Sequence, residues 1–134
     1  MITLGNQGGE HISIGPIGCI SHEGWFQSPV EIIVNGFEGN ISPYFEIQDI
    51  IRFHDELQKL YETLEGVVEL KPIEGQFGFT LTADRKGHIE VKGFAYTHAT
   101  YGSCLKFEFD LDQTYLPTLI RSLNLSLNEN ALNI

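Results

Sequence analysis

The first 51 residues contain no lysine or arginine at all. Over the whole chain of 134 residues, eight basic residues stand against eighteen acidic ones, a formal net charge of −10 at pH 7. That balance argues against direct binding of nucleic acid or an anionic membrane, both of which call for cationic surface. Cysteine is equally scarce. Cys19 and Cys104 are too few and too far apart in sequence for a disulfide scaffold or a zinc site. No apolar run approaches the roughly 20 residues of a membrane-spanning helix. The opening MITLGNQGGEH has neither the basic nor the apolar part of a signal peptide, so the expectation is a cytoplasmic protein. The sequons NIS (40–42) and NLS (124–126) would matter only in a secreted chain.

Ligand motifs are missing too. The glycine clusters GNQGG and GFEGN lack the spacing and the strand-to-helix setting of a phosphate loop or dinucleotide fingerprint. His11, His22, His54, His88 and His98 show no short metal-ligand spacing. The expectation is no metal and no cofactor.

What is present is ordinary folding material. Hydrophobic residues make up 42% and charged residues 19%, which suits one domain spanning residues 1–134 with its own core. Short strands come first, at HISIG (11–15), through WFQSPVEIIVNGF (25–37) with Pro29 dividing the run, and at ISPYFEI (41–47). Apolar residues then recur at three- and four-residue steps: Ile47, Ile50, Ile51, His54, Leu57, Leu60, Tyr61 and Leu64. This spacing predicts an amphipathic helix with Gly66 as its stop. Its polar side offers the pairs Arg52–Glu56 and Asp55–Lys59, and His54 reads as a satisfied core or boundary residue.

The second half reads as an antiparallel meander, GVVELKP, GQFGFTLTA, HIEVKGFAY and CLKFEFDL, with DRKG (84–87) as a turn and THATYGS as a loop. A second helix follows through Leu116, Leu119, Ile120 and Leu123. Pro117 must lie in its first turn, with Asp112 or Thr114 as the cap. The fold class expected is α+β: a largely antiparallel β-sheet with two helices packed on one face. The core would be Ile50, Ile51, Leu57, Leu60 and Leu64 against Phe79, Leu81, Val91, Phe107 and Phe109.

Chemistry has two candidate stretches. Glu108, Asp110 and Asp112 crowd one segment, but the first two alternate with Phe107, Phe109 and Leu111 and so point away from the core. An acid–base pair needs environments that split two pKa values, which a wet strand face does not supply. The stretch THATYGSC brings His98, Ser103 and Cys104 together in sequence without a nucleophile elbow around them. A turn explains it equally well, with Cys104 packed as a small buried residue. No catalytic residue is assigned. The expected functional feature is instead an uncovered sheet face collecting Glu31, Glu69, Glu90, Glu108 and Asp110 against Lys92 and Lys106. Such a face fits a basic protein partner. Trp25, Phe26 and Tyr44 are the candidate aromatic anchors.

The stretches FHDELQKL, GVVELKPIEGQF, GHIEVKG and above all LKFEFDLDQTYL resemble the WapI-type immunity proteins over roughly residues 30–121. These are encoded beside cell-wall-associated polymorphic toxins in bacteria. The resemblance implies a small cytoplasmic antitoxin, not an enzyme, that binds and blocks a toxin's C-terminal domain, often a nuclease. It brings no catalytic residues. A rival reading is a small-molecule-binding domain or enzyme using a pocket between sheet and helices, with THATYGSC, Phe77, Phe79 and Tyr96 around it. A structural or regulatory subunit is a third.

Overall fold

The computed structural model describes residues 1–99 and 101–131, with side chains as far as Glu129. In chain order the elements are β1 (Ile2–Gly5), β2 (His11–Ile14), β3 (Trp25–Gln27), β4 (Val30–Val34), β5 (Phe37–Ile41) and β6 (Tyr44–Glu46). Then come α1 (Ile47–Thr63), β7 (Gly66–Leu70), β8 (Phe77–Ala83), β9 (His88–His98), β10 (Tyr101–Asp112) and α2 (Leu116–Ala131). The fold is α+β and its strand pairings are antiparallel. The strands divide, however, into a sheet ordered β1-β2-β4-β5, a sheet ordered β10-β9-β8-β7, and a ribbon of β3 with β6. We refer to the two larger units as the first and second sheets.

Local chemistry explains the divisions. Pro29 cannot donate a ladder hydrogen bond, and the chain leaves the ribbon there to enter the first sheet. Asn35-Gly36 closes the β4–β5 hairpin, with Gly36 at φ 83°, a conformation that a Cβ disfavours. Asp84 closes the β8–β9 turn, its Oδ1 accepting from the amides of Lys86 (2.8 Å) and His88 (3.1 Å). Those backbone donors hold its carboxyl below the usual carboxylate range. α1 ends at Thr63, three residues before the glycine expected to stop it. Leu64 itself takes the left-handed conformation (φ 54°) and donates its amide to the Leu60 carbonyl, while Gly66 opens β7. At the other helix, Asp112 Oδ1 accepts from the Thr114 amide at 2.9 Å and caps a 3-10 turn (Gln113–Tyr115) that leads into α2. A cap of this kind contributes about 1 kcal/mol. Pro117 falls in the first turn of α2, where its missing N–H costs nothing.

One apolar cluster joins both sheets, the ribbon and both helices. α1 lies along β7, α2 along β1, and the helices touch each other. Phe53 meets Phe79 edge to face at 5.5 Å between centroids, and Phe77 lies between Phe45 and Phe79. The first sheet is tied to α2 by the Thr3 amide, which donates to Ser122 Oγ at 3.2 Å. Most expected core residues are buried, but the α1 stripe is rotated. Its buried residues are Ile50, Phe53, Leu57 and Leu60, while Ile51 is exposed and Leu64 only partly covered. The helix surface pairs differ as well: Arg52 bonds Asp49 (3.3 Å), and Asp55 bonds His54 Nδ1 (3.2 Å). His54 sits at the boundary, and its Nε2 is buried with no hydrogen-bond partner.

Candidate partner-binding face

The second sheet has one face in the core and one in water. Strand register sets the outward rows. Val67, Thr82, Glu90 and Asp110 lie side by side across β7 to β10, and Glu69, Thr80, Lys92 and Glu108 form the next row. Four of the five expected carboxylates therefore share this face. Glu31 does not. It belongs to β4 of the first sheet, where His11 Nε2 lies 3.2 Å from its carboxylate. Alternation within a strand was the correct guide to side, but sheet membership depends on pairing partners far away in sequence.

The face is less uniformly negative than expected. Glu90 bonds Lys92 Nζ at 3.1 Å, and Asp110 lies 3.2 Å from His88 Nε2. The bond to Glu90, then the fields of Glu90 and Glu108, raise the pKa of Lys92. Beyond Lys92 the character changes: the next outward row carries Gly78, Phe94 and Lys106. A shallow cavity of about 490 Å³ opens there, lined by Lys71, Lys92, Lys106, Phe94 and Tyr96 with the backbones of Gly75 and Gly93. This cleft was not among the expected sites.

The aromatic candidates also separate. Phe26 is not a surface anchor: it is 2% exposed and stacks on Phe45 at 5.4 Å, facing into the core. Trp25 and Tyr44 take the opposite side of the same ribbon, Trp25 half-buried and Tyr44 exposed. They belong to the ribbon, not to the sheet with the four carboxylates.

Most of THATYGSC lies in strands. β9 runs to His98, β10 begins at Tyr101, and the ladder is bulged between Tyr101 and Cys104. His98 stacks on Tyr101 (4.8 Å), and the Ser103 amide donates to Thr97 Oγ1 (3.1 Å). Cys104 is exposed rather than packed, because alternation with the inward residues Leu105, Phe107 and Phe109 puts it on the outward side, opposite Tyr96. Its contact raises the Tyr96 phenol pKa. Among the described residues, no hydrogen bond joins His98 to Ser103 or Cys104. The pocket of the rival reading is filled by side chains. Phe77 and Phe79 are core residues beneath α1, while Tyr96 lies on the other side of the sheet. No group of three His, Cys, Asp or Glu among the described residues could hold a metal ion. No helix among them is long and apolar enough to cross a membrane.

Against known families, the model of the WapI-like immunity proteins matches residues 2–129. The chain belongs to the WapI-like immunity protein family. No curated protein matches it. Among solved structures, it is similar to MRP1/MRP2 of Trypanosoma bruciei at 14% identity and a TM-score of 0.51, over 97% of this chain and 83% of that one. That likeness is one of fold. A chain of the CdiA-CT/CdiI toxin and immunity complex from Enterobacter cloacae is also similar, at 14% identity and a TM-score of 0.46, over 86% of this chain and 98% of that one.

Proposed function

We propose that this protein is a cytoplasmic immunity protein that neutralises the C-terminal domain of a cognate toxin by binding it, with no chemistry of its own. Membership of the WapI-like family carries the reading. The shared core of sheets and helices supports a chain that acts as one domain. A nuclease is the toxin class favoured, since such domains are basic where they grip phosphates.

The acidic end of the second sheet is the docking surface we favour. Glu69, Glu90, Glu108 and Asp110 stand on a rigid ladder in water, and solvated charges of this kind steer a basic partner into encounter. Trp25 and Tyr44 on the ribbon, and Glu31 on the first sheet, would be contacts only of a partner that reaches beyond this sheet. The test is association kinetics with the C-terminal domain of the cognate toxin, for Glu90→Lys, Glu108→Lys and Asp110→Lys combined. The association rate should fall by about tenfold or more at low salt and lose much of its salt dependence, with little change in dissociation. An unchanged rate at every ionic strength would remove this surface from the mechanism. Glu31→Lys, measured alongside, reports whether the first sheet takes part.

A further inference from the structure

In a chain of net charge −10, three of the five lysines line one cleft on the uncovered face of the second sheet. They come from separate places in the chain: Lys71 follows β7, Lys92 lies on β9 and Lys106 on β10. Lys106 is directly opposite Phe94 across the ladder. The floor is aromatic. Phe94 and Tyr96 meet edge to face at 6.0 Å, and the Phe94 ring lies over Gly78, where an added Cβ would come within 3.2 Å of it. Only Lys92 has an ion-pair partner, Glu90; Lys71 and Lys106 have none among the described residues.

We infer that this cleft receives an acidic segment of the protein partner, a carboxylate pair beside an apolar side chain, and so fixes the orientation in which the partner docks. The inference rests on the proposed immunity function and adds a second, oppositely charged pole to the same face. Charge spacing chooses the occupant. Glu90 and Glu108 are each two residues along their strands from Lys92 and Lys106, about 7 Å between backbone positions at the usual strand rise. They crowd Lys92: the Glu90 carboxylate reaches its Nζ at 3.1 Å and Glu108 lies directly opposite it. A nucleic-acid strand seated on the lysines would run its next phosphates into those carboxylates. A localised pair of carboxylates would not. The Phe94 ring offers an apolar surface next to the ammonium groups, which suits a side chain flanked by acids. Cationic and anionic poles on one rigid ladder accept a partner surface of complementary pattern in one register and oppose its reversal.

The experiment uses the intact protein and the C-terminal domain of its cognate toxin. Lys71→Glu with Lys106→Glu should weaken equilibrium binding about 30-fold or more, and Lys71→Gln with Lys106→Gln by less. These side chains are exposed, and circular dichroism and thermal melts should match wild type. A photo-crosslinking phenylalanine derivative in place of Tyr96 should capture a partner peptide rich in Asp and Glu. Wild-type affinity in both lysine variants, or capture of a basic peptide, overturns the inference while leaving the immunity reading intact. Failure of the wild-type protein to bind the toxin domain overturns both. A short oligothymidylate titrated onto the free protein should show no saturable binding. Micromolar binding abolished by the lysine variants would give the cleft to nucleic acid instead.

Discussion

Phe53→Ala should cost about 3–5 kcal/mol of stability, the usual loss for emptying a buried aromatic site, whereas Ile51→Ala should cost under about 1 kcal/mol. Phe53 is 1% exposed and packs edge to face on Phe79, so truncation removes an aromatic contact between α1 and the second sheet. The geometry of the aromatic pair adds about 0.5–1.5 kcal/mol beyond area alone. Ile51 is 36% exposed, about 100° further around the helix than Ile50. Urea denaturation of the two variants measures the difference directly. Equal losses would mean that the helix faces the sheet through a different stripe.

Gly93→Ala should be the second severe substitution, destabilising by about 3 kcal/mol, at the upper end for overpacking. The reason is space and not backbone freedom. Gly93 lies on β9, the strand flanked by β8 and β10, between Phe79 and Phe107 in the ladder. A Cβ there would sit 2.6 Å from the Gly78 carbonyl oxygen and 2.8 Å from Phe79 Cβ, and would overlap the Phe107 ring. Two neighbouring strands cannot yield to one methyl group without breaking ladder bonds. Gly8→Ala is the control, because its nearest neighbour would be Asn6 Oδ1 at 3.6 Å. It should change stability by no more than about 0.5 kcal/mol. A Gly93→Ala protein as stable as wild type in a thermal melt would show that β9 packs more loosely than described.

What could be read in advance divides along physical lines. Local periodicity is decisive where an element is long. Seventeen residues of α1 and the outward alternation of β9 and β10 were legible because each side chain's direction follows from its neighbours in sequence. The exact rotation of α1 was not, since Ile51 and Phe53 are both apolar and only the sheet beneath them chooses. β1 was missed because four residues beside a glycine-rich turn carry little pattern. Asn35-Gly36 is a hairpin signal that the surrounding apolar run obscured.

The binding face follows the same division. Glu69, Glu90, Glu108 and Asp110 were assigned correctly to one side of the meander, as alternation alone requires. Glu31 was grouped with them because its strand also alternates, yet that strand pairs with β2 and β5. Lys92 and Lys106 were visible only as charges diluting a negative face. Their convergence with Lys71 depends on the register of four strands, which no local pattern encodes. One signal was available. If Ile89 and Val91 face inward, Phe94 and Tyr96 face outward past the glycine at 93, and two outward aromatics on an uncovered sheet ask for an occupant.

The account turns on neutralisation by binding. The direct measurement is the activity of the cognate toxin C-terminal domain, assayed on nucleic acid for the proposed nuclease, while the purified protein is titrated in. The prediction is loss of toxin activity in proportion to added protein, complete at saturation, with no change to the toxin's covalent structure by intact-mass spectrometry. Undiminished toxin activity at a large molar excess of folded protein would contradict the account.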